Sequence, residues 1–410
     1  MEHVRSRFPA LARGAAFLDG PGGSQVPESV IEAMADHLRN GTANDGGVFA
    51  TSRDTIALIA EARRAAAALT GSEPEEIAFG ANMTTLNFLL AHAVARTLAP
   101  GDEIVVTELD HDANVAPWLR VAEDHGLVVR TAPLRRDDAT LDVDALEALL
   151  GERTKVVAFS LASNAVGSLT DAKRIAGAAH AVGALAWADA VHLAPHRRPD
   201  RTALGLDVLL CSPYKFFGPH LGIAAIRRDL AESWPADRVR PASETPAGHR
   251  FETGTPSFEA LAGTVAAIDY LASLGDGDLD TAYDRIRTHE EELSRLVLDR
   301  LAAIDGVALH GVTDPTARTP TFCFTVDGAS PRAVSEQLAE RDVFTWDGNY
   351  YALALMQALG LEEHGGAVRA GFLHYNTAAE AEALCDAVEE IAARGDLLAA
   401  RAPRPDEAPA

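Results

Sequence analysis

The side chains best suited to chemistry begin with one run, Leu209-Leu210-Cys211-Ser212-Pro213-Tyr214-Lys215-Phe216-Phe217-Gly218-Pro219-His220. A lysine that follows an apolar strand and precedes two phenylalanines is stripped of water, and desolvation disfavours its ammonium form. The neutral amine is a nucleophile that can form a Schiff base with a carbonyl. Upstream, Ala184-Leu185-Ala186-Trp187-Ala188-Asp189-Ala190-Val191-His192 sets a carboxylate at the end of a second apolar run. A buried carboxylate calls for a cationic partner, and a pyridinium nitrogen would be one. In Phe79-Gly80-Ala81-Asn82-Met83-Thr84-Thr85-Leu86-Asn87 a strand ends on glycine and a helix opens on polar side chains. Amides and hydroxyls at such a start bind anions, phosphate above all. Ser212 and the distant Gly254-Thr255 offer further hydroxyls.

Three more residues add to this set. His111, within Glu108-Leu109-Asp110-His111-Asp112-Ala113-Asn114, projects from another strand end, where an imidazole can stack on a flat ring or move a proton. Asn164, in Ser163-Asn164-Ala165-Val166-Gly167, offers an amide donor. Arg369 stands inside the apolar stretch Val368-Arg369-Ala370-Gly371, and a substrate carboxylate would match its planar fork. Singly, each has an ordinary reading as a snorkelling lysine, a helix cap, a turn residue, a surface histidine or a salt-bridged arginine. Together they describe a pyridoxal-phosphate site acting on an amino acid.

Such side chains need a scaffold that gathers them. Strands are predicted over Glu76–Phe79, Glu103–Thr107, Leu127–Ala132, Val156–Ser160, Leu185–Ala188, Val208–Cys211 and Ile223–Ile226. Between most of them lie stretches of helical period: Arg53–Leu69, Met83–Ala95, Ala113–His125, Val143–Leu150 and Ala172–Ala181. That alternation predicts an α/β fold whose mostly parallel sheet is flanked by helices. After Gly254-Thr255-Pro256 a long helical pattern runs through Ala302. A smaller α/β layer is predicted next, with strands Thr321–Val326 and Ala367–Gly371 and helices Pro331–Arg341 and Ala378–Ala393. A Gly/Asn/Tyr-rich stretch, Asp347–Tyr351, separates its halves. The expected domains are a large cofactor-binding one over 15–260 and a small C-terminal one over 261–395 together with 1–14. The proline-containing tail 396–410 is expected to be disordered.

Composition narrows the function. With 410 residues and a net charge of −24 the surface repels nucleic acid and anionic lipid, so neither is expected as a partner. Three scattered cysteines, Cys211, Cys323 and Cys385, argue against a disulfide framework or metal site and fit a reducing cytoplasm. No stretch reads as a signal peptide or membrane span.

From Phe17-Leu18-Asp19-Gly20-Pro21-Gly22-Gly23 to Arg369 and Tyr375-Asn376-Thr377, the chain resembles the class V aminotransferase family, in its cysteine desulfurase-like branch, which includes isopenicillin N epimerase-like proteins. The resemblance implies a fold type I enzyme that is a homodimer with sites at the subunit interface. It casts Lys215 as the Schiff-base lysine, Asp189 as partner of the pyridine nitrogen and His111 as the stacked residue. Asn164 and His192 match positions near the phenolic oxygen, and Arg369 matches the carboxylate site. Asn82, Met83, Thr84 and Ser212 match phosphate contacts, with Thr255 reaching across from the second subunit. Two departures stand out. Tyr214 replaces the usual histidine before the lysine, keeping a hydroxyl within reach of phosphate. Trp346-Asp347-Gly348-Asn349-Tyr350-Tyr351-Ala352 lacks the cysteine that desulfurases carry there, and Tyr350 and Tyr351 are expected to shape the substrate site instead.

The expected reaction is β-elimination at the C–S bond of cysteine or a cysteine S-conjugate, in specialised metabolism of the lincosamide-antibiotic type. Alternatives on the same fold are a decarboxylating oxidative deaminase, a cysteine desulfurase, an epimerase and an aminotransferase. The non-enzyme alternative is a cofactor-binding pseudoenzyme.

Overall fold

Residues 2–394 are described by the computed structural model, so the tail expected over 396–410 lies outside them. The apolar runs pair as strands β1 (Ile77–Gly80), β2 (Glu103–Thr107), β3 (Val128–Ala132), β4 (Thr154–Ser160), β5 (Leu185–Asp189), β6 (Val208–Cys211) and β7 (Gly222–Ile226). Their order across the sheet is β1-β7-β6-β5-β4-β2-β3. Only β7 is antiparallel to its neighbours. The other six strands therefore end along one edge.

Side chains alternate across these strands and feed a core on each face. In β4, Val156 and Ala158 enter one core, whereas Val157 and Phe159 enter the other. In β6, Val208 and Leu210 take the first face, and Leu209 and Cys211 the second. Helices must cover both faces, which is why the central runs are apolar throughout rather than alternating with polar residues.

A second sheet follows, from β8 (Val307–His310), β9 (Thr321–Val326), β10 (Trp346–Gly348) and β11 (Ala367–Gly371), ordered β8-β9-β11-β10 and antiparallel throughout. Helices Pro331–Ala339 and Ala378–Ala392 cover it, the second held by a reciprocal Thr377–Glu380 capping box. The register aligns His310, Cys323, Arg369 and Trp346 in one row across the four strands.

Several boundaries differ from those predicted. The long pattern ending at Ala302 is two helices, Phe258–Ser273 and Leu279–Ala302. The break falls at Asp276 and Gly277, both at positive φ, and Asp278 caps the second helix through the Thr281 amide. The helix predicted from Ala113 starts at Ala116, because 112–114 form a 3-10 turn whose Asn114 side chain is tied to Asp110. Sequence periodicity did not reveal β8, or the helix Glu28–Arg39 with its isolated buried Val30. The segment Trp346–Gly348 inside the Gly/Asn/Tyr-rich stretch is a strand.

Candidate active site

Along the edge where the six strands end, Asp189 closes its strand and the loops carry Asn82, His111, Asn164, His192, Ser212 and Lys215. Strand ends of open α/β sheets collect ligand sites because the connecting loops splay apart there. The Lys215 ammonium donates to the carbonyls of Pro21 and Gly22, 3.1 Å for the latter, and lies 4.8 Å from the Tyr214 ring centre. Burial and then the nearby Arg369 charge bring its pKa down to about 7, against the pull of Asp189 and Asp19.

Asp189 closes β5 and is buried, with its Oδ1 accepting the Val191 amide at 2.8 Å. Burial raises its pKa to about 7, with Asp110 adding to the rise and the Val191 bond opposing it. Among the described residues Asp189 has no ion-pair partner, so a cation brought against its second oxygen would be well received.

His111 accepts the Ala113 amide on Nδ1 at 3.0 Å, which leaves the proton on Nε2 in the neutral ring. That form is favoured, because burial, Lys215 and Arg369 together lower its pKa to about 4. Its ring lies 5.5 Å from that of Tyr351 at 33°. The turn beneath it is fixed by a buried network. Asp110 accepts from Asn114 at 2.9 Å, from Ser160 at 2.6 Å and from Thr107, and Asn87 links Asn114 to the Trp187 indole.

At the start of helix Met83–Ala95, Asn82 caps the Thr85 amide at 2.8 Å and the Met83 amide donates to Ser212 Oγ at 3.1 Å. The Thr84 amide has no protein acceptor among the described residues. Met83, expected as a phosphate contact, has its side chain buried in the core and its amide engaged by Ser212. Thr255 lies exposed, and no contact within this chain brings it to Ser212, Asn82 or Thr84.

Arg369 donates to the Asn164 carbonyl at 3.0 Å and lies 4.3 Å from the Tyr350 ring centre. It forms no ion pair among the described residues, and its Nε has no partner. Burial lowers its pKa to about 10. Asn164 donates to the Tyr350 carbonyl at 2.9 Å, and its Oδ1 is buried without a partner. Tyr350 and Tyr351 both have positive φ, a strained state for side-chain-bearing residues. The Tyr351 carbonyl is held by the Asp112 amide at 2.7 Å, while the Tyr350 hydroxyl is spent on the Ala367 carbonyl. His192 Nε2 faces the hydroxyls of Thr319 at 3.1 Å and Thr321 at 3.0 Å. Those threonines follow buried Arg318, which donates to the carbonyls of Val312, Val166 and Thr321.

Asp19 was not singled out, although it closes an apolar run, Ala16-Phe17-Leu18, as Asp189 does. Its Oδ1 is buried without a partner, and burial raises its pKa against the opposing charges of Arg369 and Lys215. A depression of about 830 Å³ around Arg7, Asp284 and His289 contains none of the candidate residues. One of about 520 Å³ borders Asp19, Gly22 and Tyr214.

Residues 16–384 match the family described as aminotransferase class-V, and the chain belongs to it. It is 31% identical to an aminotransferase-like protein of Gibberella zeae, over 95% of this chain and 98% of that one. A probable cysteine desulfurase of Streptomyces coelicolor is also 31% identical, over 95% and 96% of the two chains. In structure it is similar to the cysteine desulfurase of Thermococcus onnurineus, with a TM-score of 0.88 at 27% identity, covering 96% and 98%. The fold is that of the type I pyridoxal-phosphate enzymes, and the protein is a pyridoxal-phosphate-dependent enzyme of cysteine desulfurase-like kind. The side chains fit the cofactor: a free helix-start amide, an unpaired buried carboxylate and a desolvated amine stand along one sheet edge.

Proposed function

We propose that the enzyme cleaves the C–S bond of a cysteine or cysteine S-conjugate by β-elimination, converting it and one water to a thiol, pyruvate and ammonium. The observation that carries this reading is the state of the thiols. Cys211, Cys323 and Cys385 are all buried, and burial pushes Cys323 and Cys385 up to about 12 and Cys211 further. A buried thiol without thiolate character is a poor sulfur acceptor, whereas elimination needs none.

Bound among these residues, pyridoxal phosphate supplies an electron sink for charge that develops at the substrate Cα. The chain does the rest. Lys215 anchors the cofactor and, once released, its amine takes the Cα proton at Nζ and can hand it to the departing sulfur. Asp189 holds a proton on the ring nitrogen through its free oxygen. His111 would cover the ring, the Thr84 amide with Ser212 and the Asn82 cap would receive the phosphate, and Asn164 and His192 would serve the phenolic oxygen. Arg369 grips the substrate carboxylate, and the Tyr350–Tyr351 strap limits water. Thr255, exposed on its loop, is assigned to the partner's phosphate in a homodimer. That dimer would cover the exposed Ile31, Leu38, Val48 and Phe49. The lincosamide-type metabolic setting belongs to this proposal and would show in the conjugate accepted.

A second reading, cysteine desulfurase, is favoured by the similarity to a probable cysteine desulfurase and by Cys323 standing opposite Arg369 in register. A screen of free cysteine and S-alkyl conjugates with product masses separates the two. Equimolar thiol and pyruvate is the expected result, undiminished by Cys323→Ala. Alanine with protein-bound sulfur that disappears in Cys323→Ala would establish the desulfurase, and loss of carbon dioxide would establish the decarboxylating alternative.

A further inference from the structure

Beside Lys215 the cavity of about 520 Å³ is lined by Gly22, whose carbonyl accepts from the lysine, and by Tyr214, whose ring lies against the same ammonium. Its size is that of a small-molecule pocket, much larger than a cysteine thiol requires. Three rings face it. Tyr214 stacks on His220, with centres 4.8 Å apart and planes within 9°, and Trp346 stands half-exposed, opposite Arg369 in the sheet register. The indole fits against backbone because residue 22 is glycine: a Cβ there would lie 2.8 Å from Trp346 Nε1.

Two carboxylates, Asp19 and Glu259, line the same cavity, and neither has an ion-pair partner among the described residues. No lysine or arginine lines it. The charges of Arg369 and Lys215 offset Asp19, whereas Glu259 is left uncompensated beside the half-exposed Trp346 ring. A cation satisfies both, through charge and through the ring quadrupoles.

We propose that this cavity receives the substituent on the substrate's sulfur, and that the substituent is an organic cation held against Glu259 and Trp346. The proposal rests on the reading of the substrate as an S-substituted cysteine. Arg369 takes the carboxylate at one end, and the acidic aromatic cavity takes the charged group at the other.

The test compares S-(4-trimethylammoniobenzyl)cysteine with its neutral isostere, S-(4-tert-butylbenzyl)cysteine, on the holoenzyme. The cationic substrate is expected to have a kcat/KM higher by about tenfold, and Glu259→Gln and Trp346→Leu should each bring the ratio towards one. Equal values in the wild type, or a ratio unmoved by both variants, would overturn the proposal. Calorimetric binding of benzyltrimethylammonium, weakened in Glu259→Gln, reads the cavity without the chemistry. If that probe binds but no conjugate is cleaved, the cavity assignment stands and the elimination falls. If conjugates are cleaved without charge preference and the probe does not bind, the elimination stands and the cavity assignment falls.

Discussion

Lys215 and Asp189 owe their shifted titration to burial, against the pull of each other's charge. The amine titrates near 7, so above that pH it is neutral and able to react with a carbonyl, and below it the proton blocks attack. Uptake of pyridoxal phosphate by the apoprotein, followed by visible absorbance, should therefore rise through a midpoint near pH 7. A rise centred near the ordinary lysine value of about 10.4 would contradict this. These two residues were legible in the sequence because each is a charged type set against an apolar run, where an unpaired charge is costly. Arg369 was legible for the same reason, and among the described residues it forms no ion pair, its guanidinium donating to the Asn164 carbonyl instead. Asp19 carries the same signal, but the run before it is short and it precedes a Gly-Pro pair, so turn chemistry masks it. The Thr319 and Thr321 partners of His192 gave no signal, because hydroxyls more than a hundred positions away in sequence are joined to it only by the fold.

Among the elements, the helix start at Asn82 depends on close backbone contact with β7. At Gly222 a Cβ would overlap the Asn82 carbonyl and the Met83 amide, so Gly222→Ala must push the helix start away from Ser212. The expected outcome is a folded but less stable protein, by about 1–3 kcal/mol, that loses bound cofactor on dialysis faster than the wild type. Unchanged retention in a variant of unchanged stability would show that the contact is not needed. Strand identities followed from apolar runs, since a strand buried on both faces has little choice of composition. Element boundaries were less legible. The break at Asp276-Gly277 falls inside a continuous helical period, and β8 is only partly buried, so its four residues lack the apolar signature.

Across the whole molecule, two sheets meet so that the strand-end edge of one faces the His310–Cys323–Arg369–Trp346 row of the other. The bond from Arg369 to the Asn164 carbonyl and that from Asn164 to the Tyr350 carbonyl join them. Among the described residues no helix is long and apolar enough to cross a membrane. The meeting of the two sheets could be expected only from the family resemblance, because no local pattern encodes how separate layers dock. The chain has three lysines, and Lys155 and Lys173 lie towards the surface, away from the site residues. Borohydride reduction of the holoenzyme, digestion and peptide mass spectrometry can therefore assign the cofactor's anchor among three candidates. The account predicts a pyridoxyl mass addition on the peptide containing Lys215 and on no other; an addition confined to Lys155 or Lys173, or none from a coloured holoenzyme, would contradict it.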